Sequence, residues 1–191
     1  MAAGTAAALP PALGLDYNPV TARDTAELVC DTGGRPKVCL WPEIAADHQV
    51  AEQTRVYAAR LEQAGLQVPA TLTDNRVLGP GEARFGFKSR PQPADIALNL
   101  SSAVLPGMPD CARRTGTFRA YPARAPLTAW VTSVALQTPP GPGRLSPDEA
   151  ALVQRVLQAP REKQLAWYEI NRQALTTCDQ PAQLTFPGAA G

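Results

Sequence analysis

The sequence predicts an α+β domain: a small sheet with a βαβ-like first half and a helical second half, stapled by two disulfides. Three observations carry that prediction. Extended apolar runs at 37–41 and 66–73 flank a long helical stripe, which gives the order strand, helix, strand. From residue 127 onward helical periodicity dominates, interrupted by proline-rich connections. Four cysteines, Cys30, Cys39, Cys111 and Cys178, are spread along the chain without the close pairing of a zinc knuckle.

In chain order, the run 28–29 and the run 37–41 face each other across Gly33, Gly34 and Pro36, a turn signal between two extended segments. Pro42 and Glu43 then open a helix expected to reach residue 64. Its stripe is Ile44, Val50, Tyr57, Ala58 and Leu61, and Gly65 is its left-handed stop. A strand is expected at 66–73 and another at 94–100, where apolar and polar residues alternate. Residues 106–126, rich in Pro, Gly and Arg, read as loop with at most short structure. A helix at 127–136 carries Trp130, Val131 and Val134, and the Pro-Gly run at 138–143 is a linker. Ser146, Pro147 and Glu149 spell a capping box with proline at the first helical position. The last helix, 160–177, is expected to bury Leu165, Trp167, Ile170, Ala174 and Leu175.

A single domain at 25–180 is the expected organisation, with a leader at 1–24 and a flexible tail at 181–191. Residues 1–15 are Ala-rich but lack the positive start of a secretory signal, and Pro10 and Pro11 interrupt them. They read either as a disordered leader or as the outer remnant of a membrane helix.

Cysteine placement favours the pairs Cys30–Cys39 and Cys111–Cys178, although four cysteines permit three pairings. Bridging the short loop is worth about 2.7 kcal/mol from chain entropy, and bridging the long one about 4.4 kcal/mol as an upper figure. Oxidised cysteines imply a compartment outside the cytoplasm; the competing reading is a set of buried, reduced thiols.

Charge and motif content exclude several chemistries. With 18 basic against 17 acidic residues the net charge is +1, too little to draw a nucleic acid. His48 is the sole histidine, so paired-histidine zinc chemistry is ruled out, and its neighbours Asp47 and Gln49 make it a solvated helix residue rather than a triad base. Gly79-Pro80-Gly81 has proline where a phosphate loop needs a backbone donor, so no nucleotide cofactor is implied. Glu43, Asp95 and Asp110 read as capping or surface acids rather than a glycosidase pair. Trp41, Trp130 and Trp167 read as core rather than as a ligand groove. Arg113, Arg114, Arg119 and Arg124 form a local basic cluster, either an ordinary exposed loop or a surface for an acidic partner or lipid headgroup.

The stretch Cys39-Leu40-Trp41-Pro42-Glu43, preceded by Cys30 and followed by a helix, resembles the opening of a domain of unknown function in actinobacterial ABC-2-type transporter permeases. There the domain follows the last membrane helix, at the C-terminal end. In that family a histidine usually continues the motif; here Ile44 stands in its place, which argues against a role resting on that histidine. The resemblance implies a non-enzymatic extracytoplasmic domain near the membrane, with a permease or associated subunit as its protein partner. The alternative is a free secreted or lipoprotein-like module that binds a small ligand or peptide, and an enzyme of unfamiliar type comes third.

Overall fold

The computed structural model describes residues 23–116, 118–141 and 145–186. Residues 1–22 of the expected leader and 187–191 of the expected tail lie outside them. The architecture is α+β, with a small sheet in the first half and helices throughout the second.

Four short strands form one sheet in the order β1 (Val29–Asp31), β2 (Lys37–Leu40), β3 (Thr71–Thr73), β4 (Glu82–Arg84). β1 and β2 are antiparallel with Cys30 directly opposite Cys39. β2 and β3 are parallel, Val38 against Leu72, and a parallel pair needs a crossover. That crossover is helical, so the βαβ expectation holds. β3 and β4 are also parallel, Leu72 against Ala83, joined through a loop that turns at Gly81, whose φ is +76°.

The helix expected from Pro42 to residue 64 is two helices, α1 (Pro42–Ala45) and α2 (His48–Gln63). Asp47 breaks them: its backbone is non-helical and its carboxylate accepts the Gln49 N–H at 3.2 Å, capping α2. Gly65 stops α2 at φ +81° as expected. The strand expected at 66–73 pairs only over Thr71–Thr73, because Pro69 has no N–H to give a ladder; Leu66 is buried outside the sheet.

The expected strand at 94–100 is instead the middle of a helix, α3 (Pro93–Val104). Pro93 occupies its first turn, and the Asp95 carboxylate accepts the Gln92 N–H at 2.9 Å in a capping box. Helical spacing buries Ile96, Ala97, Leu100 and Ser101, so the alternation of Ile96, Leu98 and Leu100 is incidental.

Residues 106–126 hold a short helix, α4 (Asp110–Thr115), and a 3-10 turn at Tyr121–Ala123. Then come α5 (Arg124–Leu136), α6 (Pro147–Gln158) and α7 (Arg161–Ala174). The Ser146–Glu149 capping box is present at the head of α6.

The core lies between α2, α3, α5, α6 and α7. Leu72, Phe85, Leu100, Leu127, Trp130, Val131 and Val153 are fully enclosed, each worth about 1.5–3 kcal/mol relative to exposure. The Trp130 ring lies 5.2 Å from Tyr168 and 6.3 Å from Trp167. Trp41, expected in the core, is only half buried. It sits at the head of α1 with the Arg23 guanidinium 4.1 Å over its ring.

Ile170, expected inside, is 39% exposed, and Asn171 takes the buried place beside it. The reason is a backbone clamp. Asn171 accepts the Gln183 N–H at 2.9 Å and donates to the Gln183 carbonyl at 3.1 Å. Residues 179–186 carry no helix or strand, yet Ala182, Leu184 and Phe186 pack against the core through this clamp.

Both disulfides have the expected partners, with Cα atoms 4.0 Å apart in Cys30–Cys39 and 6.2 Å apart in Cys111–Cys178. Disulfides of this kind mark a chain that folds in an oxidising environment outside the cytoplasm. No helix among the described residues is long and apolar enough to cross a membrane.

Candidate functional site

A groove of about 700 Å³ runs along one face of α5. α5 has two faces because its sequence repeats at helical spacing. Leu127, Trp130, Val131 and Ala135 point into the core, while Ala125, Thr128, Ala129, Thr132 and Leu136 line the groove floor. One wall is α3, through Ala94, Asp95 and Leu98. Tyr121 and Pro122 stand at one end, and Pro139, Pro140, Leu145 and Glu149 at the other.

Five polar side chains in this lining bond within the fold. The Thr128 hydroxyl donates to the Arg124 carbonyl at 2.8 Å, and the Thr132 hydroxyl meets that of Ser101 at 2.9 Å. Asp95 caps α3, and Glu149 accepts from the Ser146 N–H at 2.7 Å and its hydroxyl at 2.8 Å. Arg124 donates to the Pro106 carbonyl at 2.8 Å. What remains for a visitor is apolar surface with charges at the ends, an arrangement suited to binding.

The motif Cys39-Leu40-Trp41-Pro42-Glu43 lies elsewhere, at the carboxyl end of β2. Leu40 is buried, Cys39 bridges to Cys30, and Pro42 starts α1. Arg23 grips Glu43 with contacts of 2.5 and 3.1 Å, and those hydrogen bonds hold the Glu43 carboxyl below the usual carboxylate range. Nearby, burial pushes the Asp74 carboxyl up, opposed by the charge of Arg84. The Asp74 carboxylate lies where a side chain at position 86 would begin, which is why glycine stands there.

A second cleft of about 300 Å³ joins Cys30, Asp31, Asp47 and His48. The Cys30 sulfur is bonded to Cys39, so His48 has no thiol to activate. Arg55 bridges to Asp31 at 2.5 Å along its rim and depresses that carboxyl, helped by the Gly33 N–H. Among the described residues no three of His, Cys, Asp and Glu gather as a metal-ligating group.

The arginine cluster is divided by the structure. Arg124 is half buried and lines the groove, Arg113 pairs with Asp110 at 2.5 Å, and Arg114 and Arg119 are exposed. The groove is not legible in the sequence, because apolar alternation at 94–100 imitates a strand where α3 forms the wall. The Pro93 start and the Gln92–Asp95 pair were the signals for that wall.

No curated protein and no solved structure matches the chain. A family model does, described as Domain of unknown function (DUF7224), over residues 38–178. That span takes in β2 from Val38 onward, β3, β4, every helix bounding the groove, and the Cys111–Cys178 bridge. Most of the chain falls inside it, and the chain therefore belongs to the DUF7224 family of domains of unknown function.

Proposed function

We propose that this chain is a non-enzymatic interaction domain of a transporter-like membrane protein, working outside the cytoplasm and close to the membrane, and that the α3–α5 groove is its binding surface. The groove is the observation that carries the reading: a mostly apolar concavity along α5 with charged side chains at its ends. The two disulfides support an oxidising location, and the Cys39–Glu43 motif supports the link to permeases. In that setting the crosslinks hold a modest core together where cytoplasmic chaperones are absent.

A second reading, a free secreted or lipoprotein-like module for a small ligand, draws on the groove's volume, which falls in the range of about 300–1,000 Å³ typical of small-molecule sites.

Photocrosslinking in cells of the source organism separates the two. With a photoreactive residue in place of Ala129, the expected adduct is a polytopic membrane protein, identified by mass spectrometry, and the same residue at Glu52 on α2 gives none. A small-molecule adduct, or equal labelling from both positions, overturns the proposal.

A further inference from the structure

The inference drawn from the groove rests on its reading as an interaction surface, and it concerns the occupant. Two contacts set α3 antiparallel to α5. The Ser101 and Thr132 hydroxyls meet at 2.9 Å, and Arg124, at the start of α5, donates to Pro106 just beyond the end of α3. Asp95, in the first turn of α3, therefore lies at the end of the groove where α5 finishes. Glu149, in the first turn of α6, lines the same end. The opposite end holds Arg124, with Tyr121 58% exposed beside it.

Among the described residues that line the groove, the charged side chains are thus carboxylates at one end and a guanidinium at the other, with an apolar floor as long as α5. Thirteen residues of α-helix span roughly 20 Å at about 1.5 Å per residue. The floor side chains at 125, 128, 129 and 132 are short, which lets a cylinder approach closely along the whole length. A β-strand would need an unpaired strand edge to hydrogen-bond, which helical walls do not offer, and a polyproline segment would need an aromatic-lined groove, whereas Tyr121 is the one aromatic ring in this lining. A compact molecule would leave the separated charges unused. A helix uses both, since its N-terminus carries a partial positive charge and its C-terminus a partial negative one.

The geometry points to an amphipathic helix of a partner protein, about three to four turns long, lying antiparallel to α5 with its N-terminus at Asp95 and Glu149 and its C-terminus at Arg124.

The test uses the full chain and three fluorescent stapled 14-residue peptides with the same Leu/Ala face. One carries Lys in its first turn and Glu in its last, the second has these charges exchanged, and the third has a central proline without a staple. The first is expected to bind about tenfold tighter than the second, the sum of two favourable end interactions becoming two unfavourable ones. The third is expected not to bind. Ala129→Trp, with its helical spectrum unchanged, is expected to abolish binding of all. Equal affinity for the two charge orders, undiminished binding of the proline peptide, or no binding by either stapled peptide overturns the inference. So does self-association of the chain that Ala129→Trp abolishes, because a second copy is then the occupant. A membrane-protein adduct from position 129 alongside equal peptide affinities rejects this inference alone, whereas the absence of any such adduct rejects the reading beneath it.

Discussion

The indole N–H of Trp130 donates to the side-chain oxygen of Gln164 at 3.1 Å, a polar bond inside the core. The amide nitrogen of Gln164 reaches the Leu157 carbonyl at 3.2 Å and the Ala159 carbonyl at 2.8 Å. One side chain thus closes the turn between α6 and α7 and ties it to α5, the helix that carries the groove. Leucine at this position would orphan a buried donor and two carbonyls at once. Gln164→Leu is expected to destabilise the fold by about 2–3 kcal/mol, measured by urea unfolding under non-reducing conditions.

The Cys111–Cys178 bridge fastens the segment just after α7 to α4 across a sequence separation of 67 residues, whereas Cys30–Cys39 closes one of 9. Replacing Cys111 and Cys178 together by serine is expected to cost about 2–4 kcal/mol, and replacing the other pair to cost less, because a shorter loop has less entropy to lose. Thermal unfolding of the two double variants checks the order.

Asp74 and Gly86 compete for one space. A Cβ at position 86 would collide with the Asp74 carboxylate, so Gly86→Ala is expected to destabilise by about 1–3 kcal/mol through overpacking. In an Asp74→Ala background the same change is expected to cost almost nothing. A double-mutant cycle with additive costs would show that some other contact requires the glycine.

Burial against Trp130 pushes the Tyr168 phenol up to about 12, with Arg172 opposing the shift. The folded state therefore holds its proton more tightly than the unfolded chain. This contribution to stability is complete below the ordinary tyrosine value of about 10, and it is lost as pH rises through about 12. Tyr168→Phe is expected to remove that part of the alkaline slope in the pH dependence of unfolding, and absorbance titration of the native protein is expected to show a late-ionising tyrosine.

What the sequence revealed depended on how local the signal was. Ser146, Pro147 and Glu149 act within one helical turn, and Gly65 at a single φ, so both elements stood where expected. Cys30 and Cys39 were legible because a turn brings neighbours together. The segment 94–100 misled because three apolar residues spaced by two also satisfy a spacing of four, and the capping pair at Gln92 and Asp95 decided for helix. Asn171 could not be foreseen in the core, since its partner is the backbone of Gln183, supplied by the chain's return after α7. The groove was hidden for the same reason: it exists only once α3 and α5 are side by side.

Methyl-resolved NMR tests that groove most directly, because Ala125, Thr128, Ala129 and Thr132 each place a methyl group on its floor. On adding detergent-solubilised membranes from the source organism, these four signals are expected to shift together, and Ala129→Trp to prevent it. Shifts confined to the other end of the molecule, around Trp41 and Ile44, with the four floor methyls unmoved, would contradict the account.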